Sequence, residues 1–421
     1  MESRWQSVAQ AAAAVAEPSI AGDPDLRKVN FLPDGEHSLG QPDLREPDLR
    51  QPDLREPDLR RIGAHPDYWY PLAWSRQIKP GKALATRFAG QPIALFRTEA
   101  GEICALEDRC AHRQVPLSLG LVEGDALRCG YHGWRYNRSG NCTDVPYLGK
   151  GHLPNGVRAY PCREADGLVF VFPGDPALAE QVPFPELGAA ADPRYKTRRF
   201  GREIRCHYTF MHENLMDMNH QFLHRAQMGQ IRPRFLGRRI GDDWLEIDYT
   251  FARSGGGQSL GERVIFGSKR TGGWSNNRDK MTIRTTYPYQ SLRIWAGDDL
   301  PVMHLWIAYV PLDAEQSSNR TFGLLSVRRP QIPGLIEAAW PLLVLFTERI
   351  FAEDQEIVEL EQTAFESQGG DLNQEIFPPI QDLRGLLRRC GLPQEERQGS
   401  WRTRDDSNVR PLPSEGNDYR L

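Results

Sequence analysis

Two short motifs, each pairing a cysteine with a histidine, constrain this chain more than any other feature of its sequence. The first is Cys110-Ala111-His112 and the second is Cys129-Gly130-Tyr131-His132. Two thiolates and two imidazoles in this order can hold a [2Fe–2S] cluster in which the cysteines bind one iron and the histidines bind the other. Neutral imidazoles in place of two thiolates raise the reduction potential well above that of an all-cysteine cluster. The motifs therefore predict electron transfer to an acceptor elsewhere in the protein or its assembly.

A structural zinc ion is the alternative for the same four residues. Its usual pattern is a pair of cysteines followed by a pair of histidines, whereas here the two ligand types alternate within each half. Alternation suits a cluster of two metals better than one tetrahedral ion. Gly133 and Trp134 continue the second motif, as expected for a tight loop that wraps a metal. We therefore predict a [2Fe–2S] cluster on these residues.

Composition and charge exclude several classes of function. The 421 residues carry a net charge of −4, so no strongly basic field indicates nucleic-acid binding. The most apolar run, residues 338–346, contains Pro341 and is far shorter than the roughly 20 residues of a membrane-spanning helix. Seven dispersed cysteines indicate reduced thiols and a cytoplasmic protein. A disulfide between Cys104 and Cys142 stays open as an alternative for two of them.

A five-residue repeat sets the N-terminal region apart. Residues 41–60 read QPDLR-EPDLR-QPDLR-EPDLR, and an earlier PDLR occupies residues 24–27. Proline in every unit forbids a continuous helix, and one leucine per unit cannot build a core. We predict a disordered, low-complexity linker over residues 1–65. The alternative is an arm that docks on a partner such as a reductase or a membrane-associated complex.

Two folded regions are predicted after the repeat, as the chain length allows. Over residues 66–178 short apolar runs alternate with turns, which is the pattern of a small all-β domain. Residues 183–395 mix strands and helices and predict an α+β domain, an antiparallel sheet with helices packed over it. Its predicted strands cover residues 245–251, 281–287, 304–310 and 321–327, and its helices cover residues 207–224 and 335–362, the second interrupted near Pro341. Residues 396–421 are predicted to form a polar tail.

The first of these helices carries the best candidate for the electron acceptor. At about 100° per residue, Asp217, His220 and His224 fall on one face of a helix over residues 207–224. Two imidazoles one turn apart can bind a single metal ion. Two histidines and one carboxylate form the facial triad of non-haem Fe(II) oxygenases, which leaves positions open for O2 and substrate. The second helix offers Asp354 as the carboxylate, with Glu353 and Glu356 as rivals.

From about residue 66 to residue 395 the chain resembles the α subunits of Rieske non-haem iron aromatic-ring-hydroxylating oxygenases. The family motif N-x-x-D-x-x-H-x₃₋₄-H is matched by Asn214, Asp217, His220 and His224, and residues 353–362 resemble a second, looser family segment. The resemblance implies a Rieske domain followed by a helix-grip catalytic domain, with Asp354 as the third ligand of a mononuclear iron. It also implies that Asp217, in a catalytic motif with Asn214, bridges the cluster of one subunit and the iron of its neighbour in a homotrimer.

The predicted function is that of a terminal oxygenase. Electrons relayed from the cluster to the iron would allow O2 to hydroxylate, dihydroxylate or oxidatively demethylate an organic substrate, cyclic or aromatic by the resemblance. The alternative is a Rieske-type electron-transfer protein whose second domain is not catalytic. The resemblance extends to the branch of the family that acts on chlorophyll-type and other large rings. Three aromatic residues that are candidates for the substrate pocket are expected instead in the core: Trp295, Trp306 and Phe346.

The source of electrons is expected to be a separate protein. The chain lacks a dinucleotide-binding fingerprint, because Gly255-Gly256-Gly257 is not followed by a glycine at the required spacing. It also lacks the cysteine spacing of a plant-type ferredoxin. We therefore expect an NAD(P)H-dependent reductase, a ferredoxin, or both.

Overall fold

Short strands make up the first half of the folded chain, and one large sheet with helices makes up the second. The computed structural model describes residues 58–148, 156–255, 279–297 and 299–393. The strands of the first half are β1 (Ile62–Gly63), β2 (Tyr70–Trp74), β3 (Ala83–Phe88), β4 (Gln91–Arg97), β5 (Ile103–Glu107), β6 (Leu121–Glu123), β7 (Ala126–Arg128), β8 (Arg135–Asn137), β9 (Cys142–Asp144), β10 (Ala159–Tyr160), β11 (Cys162–Ala165) and β12 (Leu168–Val171). Short 3-10 helices cover Leu59–Arg61, Ser75–Gln77, Leu117–Leu119 and Pro176–Leu178.

Three small antiparallel sheets organise this first half. Their strand orders are β10-β5-β4-β3, β11-β12-β2 and β6-β7-β8-β9. Strand β4 is buried on both faces, and successive side chains point to opposite sides of it. Ile93 and Leu95 join the main hydrophobic core, whereas Ala94 and Phe96 join a second, smaller core. That second core, here called the cluster-side core, also contains the thiols of Cys110 and Cys129.

The second half is an antiparallel sheet covered by helices, which confirms the predicted α+β class. Its strands are β13 (Tyr195–Phe200), β14 (Glu203–Ile204), β15 (Gln230–Ile240), β16 (Trp244–Gly255), β17 (Asp279–Thr286), β18 (Tyr289–Ala296), β19 (Met303–Pro311) and β20 (Asn319–Arg328), and β21 (Leu392–Pro393) follows the helices. The helices are α1 (Tyr208–Met216), α2 (Arg225–Met228), α3 (Leu335–Gln368) and α4 (Pro378–Cys390), with a 3-10 helix at Met218–Phe222. The sheet order is β13-β20-β19-β18-β17-β16-β15, with β14 beside β20. Leu343 and Val358 of α3 and Leu383 of α4 pack with the sheet in the main core.

The four predicted strands are present, but the predicted helix over residues 207–224 is wrong as a single helix. Helix α1 ends at Met216, and Asp217 leaves the helical conformation with φ −89° and ψ 93°. The Asp217 carboxylate then accepts a hydrogen bond from the Asn219 N–H at 2.9 Å and caps the 3-10 helix that follows. Capping by aspartate therefore overrides the helical period at this point.

The predicted interruption near Pro341 is also absent, because α3 continues through that residue. Proline removes the hydrogen bond that its backbone nitrogen would donate to the carbonyl four residues earlier. Pro341 and Glu337 are both exposed, so water can satisfy that carbonyl. The helix therefore tolerates the proline close to its N-terminal end.

Residues 58–65, which the prediction assigned to the linker, are folded. Leu59 is fully buried in the main core. Strand β1 pairs antiparallel with β21, so that Ile62 faces Pro393 and Gly63 faces Leu392. The other residues of the predicted linker, and the predicted tail at residues 396–421, lie outside the described residues.

The cysteines, the helices and three aromatic residues were the subjects of further predictions. All seven cysteines are free, so Cys104 and Cys142 do not form a disulfide. Within the described residues no helix is both long and apolar enough to cross a membrane. Trp306 is buried in the main core and Phe346 packs against it, as expected. Trp295 differs, because its ring lies 4.9 Å from the Lys280 ammonium and 5.5 Å from the Arg293 guanidinium carbon.

Candidate metal sites

Two tight loops bring the four predicted cluster ligands together. The first follows β5 and is closed by a hydrogen bond from the Cys110 N–H to the Val115 carbonyl at 2.9 Å. The second follows β7, and there the Cys129 N–H donates to the Trp134 carbonyl at 2.8 Å. Gly133 adopts φ +73°, a left-handed conformation that glycine enters without steric cost. Gly133, which directly follows the second motif, therefore suits the turn that closes the second loop.

The two cysteines lie inward and the two histidines lie outward. Cys110 and Cys129 are 2% and 4% exposed and belong to the cluster-side core. The rings of His112 and His132 are partly exposed, and their centroids lie 4.6 Å apart. This separation of ligand types fits a mixed-ligand [2Fe–2S] cluster, with its thiolate iron buried and its imidazole iron near the surface.

Groups outside the motifs support these loops. The Tyr136 hydroxyl lies 3.2 Å from the Cys110 Sγ and accepts a hydrogen bond from the Ala111 N–H at 3.1 Å. The His112 ring stacks on the Trp134 indole at 4.8 Å with an interplanar angle of 2°. Sequence reasoning did not identify Tyr136, whose position four residues after His132 carries no motif. Hydrogen bonds to cluster sulfurs tune the reduction potential.

A second group of candidate ligands comes from the segment after α1 and from α3. The candidate ligand atoms of His220, His224 and Asp354 all lie within 4.8 Å of one another. The Nε2 of His224 lies 3.2 Å from the Asp354 Oδ1, and the Nε2 of His220 lies 3.8 Å from that same oxygen. The three side chains are 1%, 17% and 16% exposed for His224, His220 and Asp354, respectively. The three residues that the sequence grouped are therefore adjacent in space.

The hydrogen bonds around the histidines orient their Nε2 atoms toward this meeting point. The Nδ1 of His224 lies 2.8 Å from a carboxylate oxygen of Glu353. The Nδ1 of His220 is bonded to the backbone carbonyl of Asp217. Both partners only accept, so each Nδ1 carries a proton, and in the neutral ring each Nε2 presents a lone pair. Such outer hydrogen bonds are typical of histidines that bind metals.

The donor set fits a cation. The His224 Nε2 and the Asp354 Oδ1 are buried and have no hydrogen-bond partner among the described residues, although they face each other. Two lone pairs at this distance repel unless a positive charge lies between them. The two carboxylates also favour a positive charge on the His224 ring. Burial lowers the pKa of His224, but Asp354 and Glu353 together hold it above its ordinary value. Iron(II) is a cation that two imidazoles and a carboxylate bind.

The remaining predicted residues have other contacts than the sequence implied. The Asp217 carboxylate does not contact either histidine; it accepts from the Asn219 backbone and side-chain amides at 2.9 and 2.7 Å. The expectation that Asp217 shares a helical face with both histidines is wrong, because the helix ends there. Of the rivals to Asp354, Glu353 binds the far side of His224 and Glu356 is exposed. Asn214 and Asp217 line a cavity of about 680 Å³ that His220 also borders.

Comparison with known proteins supports these observations. The Rieske [2Fe–2S] domain profile matches residues 68–161, and that of the Vanillate O-demethylase oxygenase C-terminal domain matches residues 204–389. The 4beta-methylsterol monooxygenase of Methylococcus capsulatus is 32% identical over 339 residues, which cover 77% of this chain and 88% of that protein. The oxygenase component of dicamba O-demethylase from Stenotrophomonas maltophilia is 38% identical over 161 residues, covering 38% of this chain and 47% of that protein.

The fold agrees with these matches. The crystal structure of dicamba monooxygenase bound to dicamba aligns with 81% of this chain and 98% of its own, with a TM-score of 0.63 and 23% identity. The sterol relative is similar over both halves of the chain, so the cluster loops and the second site belong to one enzyme type rather than to a carrier with an unrelated second domain. The chain belongs to the Rieske non-haem iron oxygenases, enzymes that combine a [2Fe–2S] cluster with a mononuclear iron.

Proposed function

We propose that His220, His224 and Asp354 bind the mononuclear iron of this oxygenase, and that Cys110, His112, Cys129 and His132 bind its [2Fe–2S] cluster. One observation carries the iron assignment: the buried Nε2 of His224 faces the buried Oδ1 of Asp354, and neither atom has a hydrogen-bond partner in the part of the chain that the structure describes. When bound there, ferrous iron supplies open coordination positions for O2 beside an organic substrate. The cluster would supply the further electron that O2 activation needs beyond the one that the ferrous ion can give.

The side chains and backbone of the chain prepare this site before any metal binds. Glu353 holds the Nδ1 proton of His224, and the Asp217 carbonyl holds that of His220. Fixed tautomers leave both Nε2 atoms free, so the ligands do not have to reorganise when a cation arrives. The low exposure of His224 also keeps water away from one side of the site.

We propose a ring-containing organic substrate that is oxidised at a methyl group. The support comes from relatives whose names specify a methylsterol monooxygenase, a dicamba O-demethylase and a vanillate O-demethylase. Hydroxylation of a methyl carbon is one reaction that would account for the activities in all three names. It gives a hydroxymethyl group when the methyl is on carbon, and loss of formaldehyde when the methyl is on oxygen. Dihydroxylation of an aromatic ring has less support from these names.

The assembly and the electron donor are further parts of the proposal. Relatives are named as an oxygenase component and an oxygenase subunit, which supports a separate reductase or ferredoxin as the donor. We propose a homotrimer in which Asp217, beside Asn214 on the cavity wall, faces the cluster of a neighbouring subunit. We further propose two domains, at residues 66–178 and 183–395. We also propose a cytoplasmic location, which agrees with the seven free thiols.

Iron content tests the assignment directly. The wild-type protein should contain three irons per chain, and D354A should contain two while keeping the EPR signal of the reduced cluster. The exposed neighbour Glu356 provides the control, because E356A should keep three. A third iron retained in D354A would refute Asp354 as a ligand. Two irons in the wild-type protein would favour the electron-transfer alternative.

Product analysis tests the reaction. With a reductase, an electron source and O2, a methoxyarene should yield formaldehyde, or a methyl-substituted ring compound should yield its hydroxymethyl product. Both products should be lost in D354A and kept in E356A. A cis-diol as the main product would refute oxidation at a methyl group.

A further inference from the structure

The end of the last N-terminal repeat unit, residues 58–60, packs against the catalytic half of the protein. Three of its residues are described, and each makes a distinct contact. Asp58 accepts a hydrogen bond from the Arg60 N–H at 2.9 Å and caps the turn. Leu59 is fully buried in the main core, and the Arg60 side chain is 1% exposed. The leucine and the arginine of the unit are therefore buried against the protein, and the aspartate caps the turn that carries them.

Arg60 enters a pocket on helix α1. Its guanidinium donates to the Thr209 hydroxyl at 2.6 Å and forms a salt bridge with Glu213. The guanidinium carbon lies 3.5 Å from the centre of the Phe210 ring. Glu213 forms a second salt bridge with Arg384 of α4, and Arg384 lies 3.9 Å from Asp371. Two arginines and two carboxylates thus balance their charges in a largely buried space.

The pocket lies next to the point where the chain turns toward the candidate iron site. The backbone carbonyl of Glu213 accepts the hydrogen bond from the Asp217 N–H at 3.0 Å, which is the last bond of α1. The carbonyl of Asp217 in turn holds the His220 ring. Arg60 is therefore connected to the His220 imidazole through Glu213 and the bend at Asp217.

We propose that the surface formed by Thr209, Phe210 and Glu213 is a binding site for the arginine that ends the last repeat unit, and that this residue, Arg60, is a positioning residue for the mononuclear metal site. The bound unit holds Glu213, and with it the end of α1, in the place that directs His220 toward His224 and Asp354. This inference rests on the proposed function, because it takes those three residues as metal ligands. It assigns one unit of an otherwise unexplained repeat to the catalytic machinery.

Metal binding tests the proposal without relying on turnover. The full-length protein is depleted of mononuclear metal and titrated with Co²⁺, which reports its binding and coordination through its visible absorption. R60A should weaken Co²⁺ binding about tenfold, the scale expected when a group that orients metal ligands is lost, and should change the shape of the spectrum. R60K keeps the charge without the planar guanidinium, so its loss should be intermediate.

The repeat supplies a matched control. Arg55 occupies the same place in the preceding unit, and R55A should bind Co²⁺ like the wild-type protein. The EPR signal of the reduced cluster should be unchanged in all variants and shows that each is folded; if R60A does not fold, R60K carries the test. Wild-type affinity and spectrum in a folded R60A or R60K, or an equal effect of R55A, would overturn the proposal.

Chemical rescue separates positioning from a general loss of packing. Added propylguanidinium should restore Co²⁺ affinity and the wild-type spectrum in R60A, and propylammonium should not. Absence of rescue in a folded R60A that retains the cluster would mean that Arg60 acts only through packing, and would overturn its positioning role. If the wild-type protein itself binds no Co²⁺ in competition with iron, the metal assignment fails instead.

Discussion

Glu353 lies 2.8 Å from the Nδ1 of His224, and its neighbour in sequence, Asp354, lies 3.2 Å from the Nε2 of the same ring. Consecutive carboxylates on α3 therefore contact the two nitrogens of one imidazole. Glu353 fixes the proton on Nδ1, and Asp354 lies with Nε2 at the candidate iron position. In the neutral ring, the Nε2 lone pair is therefore directed toward Asp354 and the candidate iron position.

Removal of Glu353 should weaken iron binding without removing a ligand. We expect E353A to lower the affinity for Fe²⁺ by about 10- to 100-fold, because the Nδ1 proton of His224 loses its acceptor. E353Q should lose less, since an amide oxygen can still accept. Competition with a chelator of known affinity measures both, and E356Q, at an exposed position of the same helix, should match the wild type. Equal iron affinity in E353A and the wild type would show that the hydrogen bond has no role in the metal site.

Removal of the Tyr136 hydroxyl should lower the reduction potential of the cluster. The hydroxyl lies 3.2 Å from the Cys110 Sγ, and a donor to a cluster sulfur stabilises the reduced, more negative state. A hydrogen bond of about 1 kcal/mol corresponds to roughly 40 mV for one electron. Potentiometric titration of Y136F measures the shift. Y147F, which removes the exposed hydroxyl bonded to Trp134, should leave the potential nearly unchanged, and an equal shift in both variants would contradict the assignment.

Neutralising Glu213 should destabilise the fold strongly. The carboxylate lies between Arg60 and Arg384, and these two charges hold the pKa of Glu213 below its ordinary value although burial raises it. E213Q would leave the buried Arg60 guanidinium without its counter-ion and Arg384 with only the more distant Asp371, which costs about 3 kcal/mol or more. Chemical denaturation measures the loss. E102Q removes an exposed partner of Arg138 and should cost under about 1 kcal/mol; similar losses in the two variants would contradict the burial argument.

Acid should destabilise the protein partly through His212. Its side chain is fully buried, and burial lowers its pKa from 6.5 to about 3. Above pH 6.5 neither the folded nor the unfolded chain binds a proton here, so this group does not affect stability. Below that pH the unfolded chain binds a proton that the folded chain does not, and stability falls by about 1.4 kcal/mol per pH unit until about pH 3.

Replacement of His212 isolates this contribution. In H212F the free energy of unfolding, measured by urea between pH 6 and pH 4, should fall less steeply than in the wild type by about 1.4 kcal/mol per pH unit. Phenylalanine keeps a ring between Tyr208 and Tyr309, whose rings lie 5.8 and 5.0 Å away. Parallel pH profiles for the two proteins would mean that His212 does not titrate in this range.

The sequence predicted the site residues better than it predicted their geometry. The cluster loops are local, because each motif spans only three or four residues and its loop is closed by nearby backbone bonds. The helical period placed Asp217 beside both histidines, whereas its carboxylate caps a new helix and only its carbonyl contacts His220. A period describes a continuous helix and gives no sign of where a capping side chain will end it.

The sequence motifs did not predict contacts between segments that are distant in the chain. Spacing made Glu353 a rival ligand, and its partnership with His224 depends on how α3 meets a segment 129 residues earlier in the chain. The burial of Arg60 depends on α1 and α4 in the same way, although the sequence PDLR is the same in every unit of the repeat. Neither contact has a signal in the local sequence.

Strand β4 gives the protein a property that neither half has alone. Because alternate side chains of one strand enter two cores, Ile93 and Leu95 cannot leave the main core while Ala94 and Phe96 stay in the cluster-side core. The main core continues from this strand through the first half of the chain into the large sheet and the helices that carry the iron candidates. The loops with the candidate cluster ligands and the candidate iron site are therefore expected to unfold in a single cooperative transition, so that unfolding abolishes both sites together.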